Sequence, residues 1–213
     1  FMISIVDYGV CNLSSIFNML KQIGVKSKII NTPDEIIKSE FLILPGVGNF
    51  ENGVQNLRNK SLDLALKEAN QNKINILGIC LGMHLMFERS EEGNKSGLGL
   101  LKGKVKKFNA EKFNMQVPHM GWNYVDINKK SKFYFNDDKK LKFYFAHSFY
   151  VECDNDLEVA GRTEYGLKFC SMVESENLFG VQFHPEKSHN FGKKLLKNII
   201  KNAFKKNNPL FVN

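Results

Sequence analysis

Ile74-Asn75-Ile76-Leu77-Gly78-Ile79-Cys80-Leu81-Gly82 is an apolar run that closes on a G-x-C-x-G turn. The run reads as a short strand buried on both faces, and the turn leads into a helix predicted over 81–89. A residue in so tight a strand-to-helix bend is held in a strained conformation, with its side chain raised above the sheet edge. Glycines two positions before and after it permit the close approach that the bend requires. In α/β sheets, ligands bind at this carboxyl edge of the strands. The partial positive charge of a helix N-terminus also favours a thiolate at Cys80. On this motif alone a buried cysteine serving as a small hydrophobe is an equal alternative.

Working outward, the flanking sequence repeats the pattern. Residues 2–6, 25–30 and 41–44 are further apolar strands. Leu13, Ile16, Phe17, Leu20 and Ile23 recur at spacings of three and four, a helical stripe that Gly24 is placed to end. Thr32-Pro33-Asp34-Glu35 offers a cap, a proline and an acid at a second helix start, and 62–70 reads as the core of a third helix. Buried strands alternating with helices imply an α/β fold: a mostly parallel sheet with helices on both faces. The second half changes to aromatic and β-branched runs at 104–108, 141–151, 167–173 and 178–183, expected to add antiparallel strands. A last helix is predicted over 191–204. No repeat or linker interrupts the chain, so one domain over 2–206 with a tail at 207–213 is expected.

Composition narrows the classes. The chain has 213 residues, 43% of them hydrophobic and 24% charged, which argues against collagenous, coiled-coil and wholly disordered proteins. No apolar run reaches the roughly 20 residues of a membrane span, so no membrane association is expected. The net charge of +8 comes largely from lysine stretches such as Lys102-Gly103-Lys104-Val105-Lys106-Lys107. With no DNA or RNA module beside them, these read as solvated faces rather than a nucleic-acid site. Cys11, Cys80, Cys153 and Cys170 form no C-x-x-C pair, and a reducing compartment, the cytoplasm, is expected. His119, His147 and His189 are scattered without zinc-site spacing, so neither a metal nor an organic cofactor is expected.

Two further motifs bear on Cys80. Gly180-Val181-Gln182-Phe183-His184-Pro185-Glu186-Lys187-Ser188 places an imidazole and a carboxylate two apart. In an extended segment these project to the same side. A carboxylate so placed fixes the imidazole tautomer and stabilises its protonated form, which gives a nucleophile, base and orienter set. A surface histidine and glutamate on an edge strand is the competing reading. Pro45-Gly46-Val47-Gly48-Asn49-Phe50 ends the third strand. Backbone N–H groups of Val47 or Gly48, with that of Leu81, are placed to cradle an oxyanion. The segment lacks the ending of a phosphate-binding loop.

In this order and spacing, the three motifs resemble the class I, triad-type glutamine amidotransferases. Val6-Asp7-Tyr8-Gly9, Phe87-Glu88-Arg89-Ser90-Glu91-Glu92-Gly93, Val117-Pro118-His119-Met120-Gly121-Trp122-Asn123 and Phe145-Ala146-His147-Ser148 narrow this to the glutaminase subunits of imidazole glycerol phosphate synthases. The resemblance covers nearly the whole chain. It implies hydrolysis of glutamine to glutamate and ammonia, and delivery of the ammonia through a tunnel to a (βα)₈-barrel synthase subunit in histidine biosynthesis. It makes Cys80 the nucleophile, His184 the base and Glu186 its orienter, with Leu81, Val47 and Gly48 as backbone oxyanion donors. It puts His84, His147 and Ser148 at the substrate, and Trp122 and Lys187 at the partner contact. Two positions depart from the family pattern: Cys11 stands where a glycine is usual, and His84 where a glutamine is usual. A paralogue that feeds ammonia to sugar amidation, a cysteine peptidase and a non-catalytic scaffold are the competing functions.

Overall fold

The computed structural model describes residues 1–10, 12–135 and 141–204. Cys11, the end of the expected domain and the 207–213 tail lie outside the described residues. The first half alternates as its apolar periodicity requires: β1 (Ile3–Val6), α1 (Leu13–Gln22), β2 (Ser27–Ile30), α2 (Pro33–Ile37) and β3 (Phe41–Leu44). Then follow α3 (Phe50–Asn59), α4 (Leu62–Gln71), β4 (Asn75–Ile79) and α5 (Leu81–Leu85). β1 and β3 are buried along their whole length. β2, β1, β3 and β4 pair in parallel in that order.

The second half contributes β5 (Arg89–Ser90), β6 (Gly103–Lys107), α6 (Ala110–Phe113), β7 (His119–Tyr124), β8 (Asp126–Ile127) and β9 (Lys142–His147). β10 (Phe149–Cys153), β11 (Val159–Tyr165), β12 (Leu167–Ser175), β13 (Leu178–Val181) and α7 (His189–Phe204) complete it. β13 returns to lie parallel to β4, and β12, β10 and β6 extend the sheet antiparallel from there. β7 and β9 form a separate antiparallel ribbon. Apolar side chains fill both faces of the main sheet, with α1 and α7 on one side and α3 and α4 on the other.

Three expectations change. The elbow helix stops at Leu85 rather than running to 89. The N–H groups of Leu98, Leu100 and Leu101 capture the Leu85 and Met86 carbonyls, and the chain leaves the core to pair β5 with β6. The apolar run 141–151 is two strands, β9 in the ribbon and β10 in the main sheet, with Ser148 between them. α3 is an additional helix whose buried Phe50, Val54 and Leu57 sit at spacings of four and three around Gly53. No helix among the described residues is long and apolar enough to cross a membrane.

Candidate active site

Three adjacent parallel strands end together. Leu44 of β3 sits opposite Gly78 of β4, and Ile79 of β4 opposite Val181 of β13. The residues that follow each strand therefore meet at one edge: 45–49 after β3, Cys80 after β4, and Gln182 to Glu186 after β13. Residues 102 positions apart become neighbours through register alone.

Cys80 occupies φ 52° and ψ −110°, a region where a Cβ is strained. Its N–H donates to the Val181 carbonyl at 2.8 Å, and its carbonyl accepts from the His84 N–H at 3.2 Å, so the bend is held from both sides. A Cβ at Gly82 would run into the Leu44 carbonyl, and one at Gly78 would come within 2.7 Å of the Met83 backbone. The glycines of the motif let the elbow lie directly on β3 and on its own helix. Cys80 is 6% exposed, and it opens into a cavity of about 380 Å³ whose walls include Val47, Gly48, His84, Ser148 and His184.

His184 and Glu186 are paired, Nδ1 to Oε1, at 2.7 Å, with side chains only 2% and 5% exposed. Their backbone is not the extended segment expected: Pro185–Lys187 is a 3₁₀ turn. Proline favours this helical start, and the Ser188 hydroxyl donates to the His184 carbonyl at 2.6 Å. The turn folds the Glu186 carboxylate back onto the ring and leaves Nε2 to face Cys80. Burial by itself pushes the His184 pKa down. Its hydrogen bonds to Cys80 and Glu186, and their charges, override this and raise it to about 10.

The glycine loop is only half prepared for an oxyanion. The Val47 N–H donates to the Val10 carbonyl at 3.1 Å, so it is turned away from Cys80. Gly48, at φ 103°, has nothing within 4 Å of where a Cβ would stand. The peptide joining these residues has room to turn.

His147 lies on the cavity wall, and a chain of hydrogen bonds fixes its tautomer. Nδ1–H donates to the Phe149 carbonyl at 2.7 Å, so Nε2 accepts from His119 Nδ1 at 2.9 Å. His119 Nε2 in turn accepts from the Asn123 amide at 3.2 Å. Burial drives the His147 pKa well below the usual histidine range and that of His119 to about 4. Both rings are neutral, and the chain runs from the β7–β9 ribbon to the loop that carries Ser148.

His84 also faces the cavity, but its polar partner is internal. Nε2 lies 2.7 Å from Gln182 Oε1, and Gln182 Nε2 lies 3.8 Å from Cys80 Sγ. Burial, partly offset by the Gln182 bond, lowers the His84 pKa to about 4. Trp122 and Lys187 sit on the rim side. Trp122 is 40% exposed between Met120 at 66% and Tyr124 at 53%, and Lys187 lies over the Tyr144 ring.

Sequence reasoning assigned no role to Gln182 or Glu92. The Glu92 carboxylate closes one side of the cavity, accepts from the Phe50 N–H at 2.9 Å and has its pKa raised by burial. For Gln182 the signal was its position two residues before His184, directly after the strand that flanks β4. Among the described residues, no group of three or more His, Cys, Asp or Glu side chains could hold a metal ion.

The profile of the "Glutamine amidotransferase class-I" family matches residues 4–203. The chain belongs to the class-I glutamine amidotransferases. This amidotransferase is 48% identical over 204 residues to the imidazole glycerol phosphate synthase subunit HisH 2 of Methanococcus maripaludis, covering 95% of this chain and all of that one. It is 42% identical to the subunit HisH of Leptospira interrogans over 93% of this chain and 98% of that one. Among solved structures, PurLQS from Thermotoga maritima superposes with a TM-score of 0.75 over 94% of this chain and 97% of that one. At 23% identity that likeness speaks to the fold.

Proposed function

We propose that this amidotransferase hydrolyses glutamine to glutamate and ammonia, and passes the ammonia to a (βα)₈-barrel synthase subunit that makes imidazole glycerol phosphate in histidine biosynthesis. The observation that carries the reading is the strained Cys80 at the meeting of three strand ends, facing a buried His184–Glu186 pair. The names of its HisH relatives support the partner and the pathway.

In this mechanism His184 holds the proton before substrate arrives. Cys80 Sγ attacks the side-chain amide carbon, and its electrons pass to the carbonyl oxygen. The Leu81 N–H, at the first turn of α5, and an N–H from Val47 or Gly48 stabilise that oxyanion. The oxyanion collapses, the C–N bond breaks, and His184 delivers its proton to the departing ammonia. A glutamyl thioester remains. Water attacks it as His184 takes the water proton, and glutamate leaves as Cys80 is regenerated. Glu186 keeps Nε2 aimed at the reacting atoms throughout. The Glu92 carboxylate suits the substrate's α-ammonium, and His147 and Ser148 line the same wall.

Val47 bonded to Val10 is an unfinished oxyanion site, so the chain alone is a slow glutaminase. Trp122, Met120 and Tyr124 present an exposed aromatic and apolar strand beside the cavity mouth. A barrel docked there, with Lys187 at its edge, covers the cavity and receives the ammonia. The free thiols of Cys80, Cys153 and Cys170 suit a reducing cytoplasm.

The test is ammonia release from glutamine by wild type and Cys80→Ala, each with and without the barrel subunit. Wild type should release ammonia, faster by at least about 100-fold with the barrel, the worth of one oxyanion donor, and Cys80→Ala should release none. Equal release by both proteins, or none by wild type with any barrel, rules the reading out. Stimulation only by a sugar-amidating partner would move the protein to the paralogous role.

A further inference from the structure

His84, Gln182 and Cys80 form a line: imidazole Nε2 to carboxamide Oε1 at 2.7 Å, then carboxamide Nε2 to Sγ at 3.8 Å. Gln182 is fully buried and His84 is 4% exposed. Gln182 is held in place by its own N–H, which donates to the Ser171 carbonyl at 2.9 Å. A carboxamide has one acceptor end and one donor end, and turning it over exchanges them. With the acceptor end toward the sulfur, two electron-rich atoms would face each other in a water-poor site. With the donor end toward it, the sulfur gains an N–H.

We propose that His84 is a positioning residue: its Nε2–H holds the Gln182 carboxamide in the orientation that aims an N–H at Cys80. The segment that follows β13 then contributes two groups to the sulfur, the charged His184 and the uncharged Gln182, and only the second depends on α5. The neutral state of His84 agrees with this, because a neutral ring donating from Nε2 keeps Nδ1 bare, while a protonated one would add a second positive charge beside His184. An imidazole suits the task because, in this tautomer, the nitrogen facing Gln182 can only donate. A carboxamide at position 84 could present either end and so would not impose the orientation.

The inference deepens the glutaminase reading and rests on Cys80 being its nucleophile, but its test needs no glutamine. The titratable groups around the sulfur are His184 with Glu186 behind it, His84, His147, Glu92 and Lys187, so a pH profile must be compared between variants, not read in isolation. The measurement is the rate of Cys80 alkylation by iodoacetamide, which loses iodide to the sulfur, followed on the Cys80 peptide from pH 5 to 9. His84→Phe keeps a flat ring and removes the donor. It should raise the midpoint of the profile by about one unit, the effect of losing one hydrogen bond to a charged group. In steady-state assays with the barrel, kcat should fall about tenfold while KM changes less than about threefold. His84→Gln should lie between His84→Phe and wild type.

A raised KM for His84→Phe with an unmoved alkylation midpoint would make His84 a substrate contact and overturn the proposal. Should His84→Phe not fold, the tautomer in the wild-type protein decides: ¹⁵N shifts of His84 must show a protonated Nε2 and a bare Nδ1, and the reverse overturns the proposal. A wild-type chain that releases no ammonia but whose midpoint moves in His84→Phe would sink the glutaminase reading and keep this one. An unmoved midpoint in a chain that does release ammonia would do the opposite.

Discussion

His184 is nearly sealed from water, yet it keeps its proton to a pH of about 10. Its two partners account for this: Glu186 on Nδ1 and Cys80 on the other side. A carboxamide in place of Glu186 would remove a charge and could present a donor to Nδ1, favouring the wrong tautomer. Glu186→Gln should therefore lower kcat about 100-fold with little change in KM, measured as ammonia release in the presence of the barrel. The three residues proposed as nucleophile, base and orienter, Cys80, His184 and Glu186, could be picked out in the sequence because they stand in the short G-x-C-x-G and His-Pro-Glu motifs. The way His184 and Glu186 meet could not. Alternation along a strand predicted the pairing, while the structure achieves it through a 3₁₀ turn that begins at Pro185. The Gln182 contact was also hidden, since its partner His84 is 98 positions away.

At the scale of elements, the elbow depends on backbone packed against backbone. A methyl at Gly82 would meet backbone rather than side chain, first the Leu44 carbonyl at the end of β3 and then the Gly46 nitrogen. Gly82→Ala should cost about 3 kcal/mol or prevent folding, read from the urea midpoint, because overpacking against a fixed backbone cannot be relieved by a rotamer change. Periodicity revealed α1, α4 and α7, whose apolar stripes are long enough to show. It missed α3, where Glu51, Asn52, Gly53 and Asn56 dilute the stripe of Phe50, Val54 and Leu57. It overextended α5, since Leu81 to Phe87 is buried throughout and apolar apart from Gly82 and His84, and nothing local marks where the carbonyls of Leu85 and Met86 find other donors. The 141–151 run read as one strand because a change of sheet at Ser148 leaves no mark in hydrophobicity.

For the whole molecule, burial of neutral histidines predicts how stability depends on acid. His84 and His119 have pKa values lowered to about 4, and His147 lies well below the usual range. Groups whose native pKa is depressed stabilise the fold fully above the unfolded value near 6.5, and lose that stabilisation as pH falls toward the native values. Near pH 5 the unfolded chain should bind nearly two more protons at His84 and His119, a slope of about 2.4 kcal/mol per pH unit in urea titrations, and His147 adds to it in the same direction. His184 contributes with the opposite sign, its stabilisation present below about pH 6.5 and lost as pH rises through about 10. Neutral pH should therefore be more stable than either extreme. Docking belongs to this scale as well: Trp122→Ala should weaken barrel binding about 30-fold by calorimetry and leave urea stability nearly unchanged, as a half-exposed aromatic anchor would. Local sequence by itself determined the alternating elements, the strained cysteine turn and the residue types of the proposed triad, because each follows from short-range periodicity, glycine sterics or side-chain chemistry. Only the tertiary structure decided that β13 returns beside β4, that Val47 turns toward Val10, and that His84 reaches Gln182. Those outcomes depend on strand order and register, which bring together groups that no local pattern links.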